Sequence, residues 1–292
     1  MLDFSPITLD RQKEYHDCLS GCPQLMTSDF SFANVYGWAD HYKLEWAFHN
    51  GLAFIRQNAH ETIYWAPVGP WDDYNWAQCK AMRETSRFTR VPEDLANLWR
   101  EAYGDSIAID ENRDHWDYIY SVEELIALKG KKFHKKKNLL NQFQKHADFK
   151  YDTMGPECVE EVLEMQAEWF NWYEENNPSE ALKAENHAIT RVLHNFDQID
   201  GLMGATLRVG GKVIAYTVAE PLCEDSLVIH FEKGDIRHKG VYQAINQMFL
   251  LNDAAEFTNV NREQDLGDEG LRKAKLSYNP VFFLKKYEAV IS

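Results

Sequence analysis

The sequence predicts an α+β protein of two lobes, each a mainly antiparallel sheet with flanking helices. Three observations predict it. The chain has 292 residues, close to two domains at about 150 residues each. Each half carries a glycine-turned hairpin, at Asn50-Gly51 and at Gly210-Gly211. Helical stretches also interrupt the strands without the regular βαβ alternation of a parallel sheet.

In the first half, residues 44–49 and 52–56 flank Asn50-Gly51, a dipeptide suited to a two-residue hairpin turn. Residues 62–67 read as a third strand closed by Gly69-Pro70. Helices are expected near 74–86 and 92–103, the second with Pro92 suited to its first turn. Residues 106–109 and 117–120 read as strands. Ser121-Val122-Glu123-Glu124 is a capping box that starts a helix. Gly130 divides that helix from another carrying Phe133, Leu139, Leu140 and Phe143 at helical period.

In the second half, Asn177-Pro178 separates helices at 156–176 and 179–195. A hairpin over 205–209 and 212–220 follows, then a strand at 226–232. Gly240 opens a helix running to about residue 256, and a short strand follows at 258–260. A helix near 270–277 and a strand near 281–290 complete the order. The expected division is a lobe over 1–128, a basic helical connector over 129–150 and a lobe over 151–292.

With 45% hydrophobic and 26% charged residues, the composition excludes disorder and collagen-like repeats. Five scattered cysteines, of which only Cys18 and Cys22 are close, leave no second pair for a zinc site. The expectation is therefore reduced thiols and no metal. Met1-Leu2-Asp3-Phe4 lacks the positive start and apolar run of a secretory signal. The apolar stretches fall short of the ~18 residues that a spanning helix needs. A cytoplasmic protein with no membrane span is the expectation. P-loop, dinucleotide-fingerprint, zincin and nucleophile-elbow motifs are absent, which argues against those four enzyme classes.

The 46 acidic and 31 basic residues give a net charge of −15, a field that repels nucleic acid and excludes DNA as an expected partner. Charge is unevenly spread. Residues 129–150 hold eight lysines against Asp148 alone, while the segments on either side are each −11. Lys132, Lys135 and Lys136 lie in this stripe and are candidates for donor phosphate. The other reading is a solvated helix paired with acidic neighbours.

A second candidate runs from Ser226 through Glu232, Arg237, Lys239 and Gly240 into a helix. Backbone N–H groups at a helix start attract a pyrophosphate, and a glycine there permits close approach. The other reading is a plain strand–turn–helix connection. Arg237-x-x-Gly240 resembles the acyl-CoA-binding segment of the GNAT (Gcn5-related N-acetyltransferase) fold, with Tyr242 where that pattern has Gly or Ala.

The stretch Asn261-Arg262-Glu263-Gln264-Asp265-Leu266-Gly267-Asp268-Glu269-Gly270-Leu271-Arg272, continuing through Lys275 to Tyr278 and Pro280, is more specific. Together with residues 117–120, the 130–143 lysine/asparagine stretch and Gly240 to Asn246, it resembles the soluble branch of the phosphatidylglycerol lysyltransferase C-terminal domain family. The resemblance implies two tandem GNAT-like lobes joined by a basic helix, akin to the Fem aminoacyltransferases. Membrane-bound relatives transfer an aminoacyl group from tRNA to phosphatidylglycerol. They carry an Asp-x-x-Arg pair where this chain has Ile229-His230-Phe231-Glu232, so lysyl or alanyl specificity is not implied.

An acyl- or aminoacyltransferase is therefore expected, with acyl-CoA or aminoacyl-tRNA as donor and a small molecule or peptide as acceptor. Its amine or hydroxyl attacks an activated ester, which requires a held donor, a proton route and groups facing the oxyanion. Glu232 is the candidate base or ammonium anchor, Asp265 a second anchor and Tyr278 the acid. Asn246, Asn261, Gly267, Gly270, Arg272 and Lys275 are candidates for substrate binding, the two cations lying three apart on one helix. The tRNA acceptor end would meet the 129–150 lysines. The alternative is a non-catalytic amino-acid or peptide-binding module on the same scaffold.

Overall fold

The structure, a computed structural model, describes residues 2–23, 26–79, 82 and 87–292. Two compact units emerge, one of residues 1–117, 264–269 and 283–292, the other of residues 118–263 and 270–282. The architecture is the expected mixed α+β one, with one largely antiparallel seven-stranded sheet for each unit.

In the first unit, β1 (Ser5–Pro6), β2 (Leu44–His49), β3 (Leu52–Gln57), β4 (Ile63–Trp65), β5 (Arg87–Pro92) and β6 (Ile107–Glu111) form the sheet. The last strand, β14 (Lys286–Ile291), lies between β5 and β6. Asn50 and Gly51 both take positive φ (50° and 78°), so β2 and β3 pair in the expected register with His49 opposite Leu52. Among the described residues of this sheet, only β4 and β5 run parallel. Helices α1 (Gln12–Leu19), α2 (Phe32–Gly37), α3 (Ala39–Tyr42) and α4 (Glu93–Tyr103) accompany this sheet. Its core includes buried Trp46, Trp65, Trp71 and Trp99. Of the helix expected at 74–86, residues 80–81 and 83–86 lie outside the described residues, and Trp76–Gln78 form one 3-10 turn.

A fully buried charge network crosses this core. The Lys286 ammonium donates to Asp29 and, at 2.8 Å, to Asp117. Arg90 also donates to Asp29, and Gln264 Nε2 reaches the same carboxylate at 3.0 Å. Ser28 donates both its N–H and its hydroxyl to Asp117. Burial works against the Asp29 charge, but Lys286 and then Arg90 outweigh it and hold the carboxyl below its ordinary range.

The second unit begins in β7 (Asp117–Ser121). Ser121 Oγ then accepts from the Glu124 N–H at 3.3 Å and caps α5 (Val122–Ala127), as the capping box required. After it come α6 (His134–His146), β8 (Phe149–Thr153), α7 (Val159–Asn176) and α8 (Glu180–His194). A meander of β9 (Met203–Val209), β10 (Lys212–Cys223) and β11 (Ser226–Gly234) leads into α9 (Val241–Asn252). The unit closes with β12 (Asn259–Asn261) and α10 (Glu269–Leu276), and its last residue opens β13 (Phe282–Leu284), the edge strand of this sheet. Sheet order is β13-β7-β12-β11-β10-β9-β8. Among the described residues, no helix is long and apolar enough to cross a membrane.

The units do not follow the linear division expected at 128 and 151. Hydrogen-bond partners decide this: β7 pairs with β12, and β14 returns to pair with both β5 and β6. The basic connector is likewise no separate body, because its helix α6 packs on α9 within the second unit.

That packing explains Gly240. The residue sits at φ +89°, and an added Cβ would lie 2.1 Å from the Leu139 carbonyl oxygen of α6. Gly240→Ala should therefore cost about 2–5 kcal/mol, combining a left-handed L-residue with overpacking against backbone. Urea unfolding would register it as a lower midpoint at unchanged slope. A shift under ~0.5 kcal/mol would mean that α6 does not hold this approach.

Candidate functional site

The site is built where β11 parts from β12. Their parallel ladder covers Ser226–Val228 against Asn259–Asn261, after which β11 runs on to Gly234 paired with β10. Opposite Val218 and Ala219, β11 has a bulge at His230, a device that re-aims the side chains beyond it. Glu232 follows two residues later.

The Glu232 side chain is only 7% exposed, and both its oxygens are engaged. Arg262, the residue after β12, donates from Nη2 to Oε1 at 2.9 Å. Asn246 of α9 donates from Nδ2 to Oε2 at 2.9 Å. Tyr278 lies beside them, its hydroxyl accepting from Gln243 Nε2 at 2.9 Å. The Arg262 guanidinium is 4.9 Å from the Tyr278 ring centre, and the Lys136 ammonium is 3.8 Å from it. A carboxylate, two cations and a phenol thus converge from β11, β12, α6, α9 and the segment after α10.

Burial, with Arg262 nearby, lowers the Lys136 amine to about 8. Burial also disfavours the Arg262 charge, but Glu232 outweighs it and raises that group. The Tyr278 hydroxyl is raised, mainly by burial. An amine that gives up its proton near neutrality, beside an oriented phenol and a fixed guanidinium, suits general acid–base work on a polarised carbonyl.

Asn261 and Lys275 shape the backbone that carries Arg262. Asn261 Oδ1 accepts from the Glu263 N–H at 2.7 Å, and Glu263 takes φ +57°. Lys275 donates to the Arg262 carbonyl, while Tyr120 donates to the Lys275 carbonyl at 2.8 Å. The Glu263 carboxylate turns back to His230 Nδ1 at 2.9 Å, and Glu220 stands 3.7 Å from Nε2. Burial opposes a charge on His230, but the two carboxylates outweigh it and raise the imidazole to about 9.

The imidazolium's contribution is whole below pH 6.5 and lost as pH rises through about 9. Lys136, whose amine is lowered, works in the opposite sense above about pH 8. The stability difference between the wild type and His230→Gln should therefore shrink from pH 6.5 to 9, read by urea unfolding at each pH. A difference that stayed constant across that window would mean His230 is neutral in the fold.

The remaining sequence candidates have other surroundings. Asp265 belongs to the first unit, where it is wholly buried, accepts from Arg113 at 3.3 Å and caps the Gly267 N–H at 3.0 Å. Gly267 has φ +80°, and Gly270 and half-buried Arg272 lie on α10. Arg237 is exposed and pairs with Asp235 through Nε at 2.9 and 2.8 Å, and Lys239 is exposed. Lys132 is held by Glu124 at 2.7 Å, and Lys135 is exposed on α6.

Sequence reasoning passed over Arg262 and Gln243. Arg262 sits inside the quoted Asn261-to-Pro280 stretch, and its place at a strand end, three residues before a carboxylate, was the available signal. Gln243 lies in the first turn of α9, three residues from Asn246 and so on the same face.

Comparisons with known proteins place the whole chain. The family described as phosphatidylglycerol lysyltransferase, C-terminal, matches residues 24–290. A crystal structure of a conserved protein of unknown function from Bacteroides thetaiotaomicron is 31% identical, covering 100% of both chains with a TM-score of 0.89. The L-PGS structure from Bacillus licheniformis is 12% identical over 97% of this chain and 91% of its own, with a TM-score of 0.66, a likeness of fold. An uncharacterized protein of Mycoplasmoides gallisepticum is 25% identical over 205 residues, 67% of this chain and 63% of its own length.

Proposed function

Because the chain belongs to the phosphatidylglycerol lysyltransferase C-terminal family, we propose that it transfers an aminoacyl group from aminoacyl-tRNA to an amine or hydroxyl acceptor. The observation that carries this reading is the convergence of Glu232, Arg262, Tyr278 and Lys136 in the wedge between β11 and β12.

The reaction needs little beyond positioning and charge. The acceptor's nucleophilic atom attacks the ester carbonyl, a bond forms to that carbon, and the ester C–O bond breaks. The proton lost by the acceptor ends on the departing ribose oxygen, so the exchange balances without an outside reagent. In this reading Lys136, as the free amine, takes the acceptor's proton. Arg262 and the Tyr278 hydroxyl face the developing oxyanion. Glu232 and Asn246 act as positioning residues, since both carboxylate oxygens already hold Arg262 and Asn246. Gln243 orients the phenol.

Basic residues in and just before α6 supply the donor contact. Lys131, His134 and Lys137 line an open hollow of about 580 Å³ with Leu128 and Gly130, on the most basic stretch of the chain. RNA held by such contacts dissociates steeply as salt rises.

The test is transfer of a labelled aminoacyl group from a mixed aminoacyl-tRNA pool to a panel of amines, peptides and lipids. Wild type should transfer the label, Tyr278→Phe should be about 10²-fold slower and Lys136→Met slower still, without the rise in rate as pH climbs through about 8. Transfer from acetyl-CoA instead would replace the donor in this reading. Tight amino-acid binding without turnover on any donor would favour a binding module and overturn it.

A further inference from the structure

Lys136 differs from the other lysines of its stretch. Lys132, four residues earlier, is held by Glu124 at 2.7 Å, while Lys135 and Lys137 are exposed. Lys136 is half-buried, and its ammonium stands 3.8 Å from the centre of the Tyr278 ring. Among the described residues, no carboxylate lies within ion-pair distance of that ammonium.

A second cation faces it instead. The Arg262 guanidinium, from the residue after β12, lies 4.9 Å from the same ring centre. Glu232 of β11 has both oxygens taken, by Arg262 and by Asn246 of α9. Glu263, next along the chain, turns away to His230. Tyr278, after α10, accepts from Gln243 of α9, and burial raises its hydroxyl, so it adds no negative charge at neutral pH. Two cations thus share one ring and one fully engaged carboxylate, a balance that favours a further anion.

The same surroundings alter the amine. Burial, and then Arg262, favour its neutral form, which appears as pH rises through about 8. An ordinary lysine holds less than about 1% of its amine free at that pH. A neutral amine is the form that attacks an activated carbonyl, and a guanidinium is a natural partner for phosphate.

We propose that Lys136 is an acylation site, which takes the acyl group of a small acyl phosphate whose phosphate docks at Arg262. The Lys136 nitrogen bonds to the carbonyl carbon, and the C–O bond to phosphate breaks. Phosphate leaves with the electron pair and takes up the proton that nitrogen loses, so the step balances. The product is a neutral amide with no basic nitrogen. Its consequence for transfer rests on the reading of Lys136 as the base: each acylated molecule loses that base and falls silent.

Incubation of the full chain with acetyl phosphate, then digestion and mass spectrometry, reads the acetylation rate of each lysine in residues 129–150. Lys136 should react about tenfold faster than Lys135 or Lys137 near pH 8, and its rate should level off above that pH. Inorganic phosphate should slow the reaction at Lys136. Nitrophenyl acetate, which has no phosphate to dock, should favour Lys136 and ignore added phosphate. Lys136→Arg keeps a cation without a nucleophilic amine, and should leave labelling of Lys135 and Lys137 as it was. Acetylation of Lys136 no faster than of Lys135, or a rate that inorganic phosphate leaves unchanged, would overturn the assignment.

Aminoacyl transfer should fall in proportion to the fraction of Lys136 acetylated. Transfer that survives complete acetylation would overturn the silencing. Preferential acetylation of Lys136 in a protein that transfers from no donor would support the site and count only against the transfer reading.

Discussion

Lys286→Met is expected to remove about 3–5 kcal/mol of unfolding free energy, because it leaves Asp29 and Asp117 facing each other in a dry core. Lys286, Asp29 and Asp117 all have 0% side-chain exposure, so no solvent screens the two carboxylates. Arg90 still answers Asp29, and the two Ser28 donors still answer Asp117, which is why the loss stops short of two isolated charges. Adding Asp117→Asn should restore part of the stability, since the neutral amide removes the orphaned charge. Guanidinium unfolding of the single and double variants reads both effects. A loss below ~1 kcal/mol for Lys286→Met would show that the carboxylates reprotonate or hydrate at little cost.

Arg262→Met carries the next largest effect, about 3–5 kcal/mol of stability together with loss of transfer. Glu232, left with Asn246 alone, would hold an uncompensated charge at 7% exposure. The double variant Glu232→Gln/Arg262→Met separates the two consequences. It should regain much of the stability, because the charge is gone, and none of the transfer, because no guanidinium faces the oxyanion. Urea unfolding and the aminoacyl-tRNA assay on the same preparations check this. Transfer retained by the double variant would remove Arg262 from the chemistry.

Local features of the fold were legible in the sequence. Asn50-Gly51 and the Ser121 N-cap act through contacts a few residues apart, and the hairpin and the helix start both form as read. Glu232, Asn246 and Tyr278 were also picked from the sequence and do converge, since each lies at an element end that the strand–helix order brings to the β11–β12 wedge. Asp265 was picked on the same grounds, yet it faces Arg113 in the first unit. Its neighbours in sequence do not share its surroundings, because the chain crosses between units within three residues of Arg262. Arg237-x-x-Gly240 read as a phosphate cradle, while the glycine answers the close approach of the Leu139 carbonyl. A backbone contact across a hundred residues leaves no mark in a local motif.

The place of β14 has a consequence for how the molecule is made. Synthesis proceeds from the first residue, so β1 to β6 exist long before Lys286–Ile291, the strand that sits between β5 and β6. Until it arrives, β5 presents an open edge, and Asp29 and Asp117 lack the ammonium that joins them. An exposed strand edge is a template for pairing with other chains, and long-range pairing of this kind is slow. The nascent first sheet must therefore wait, half-assembled, while the second unit is being translated. Helper proteins that shield strand edges during synthesis should matter more to its yield than to its final stability.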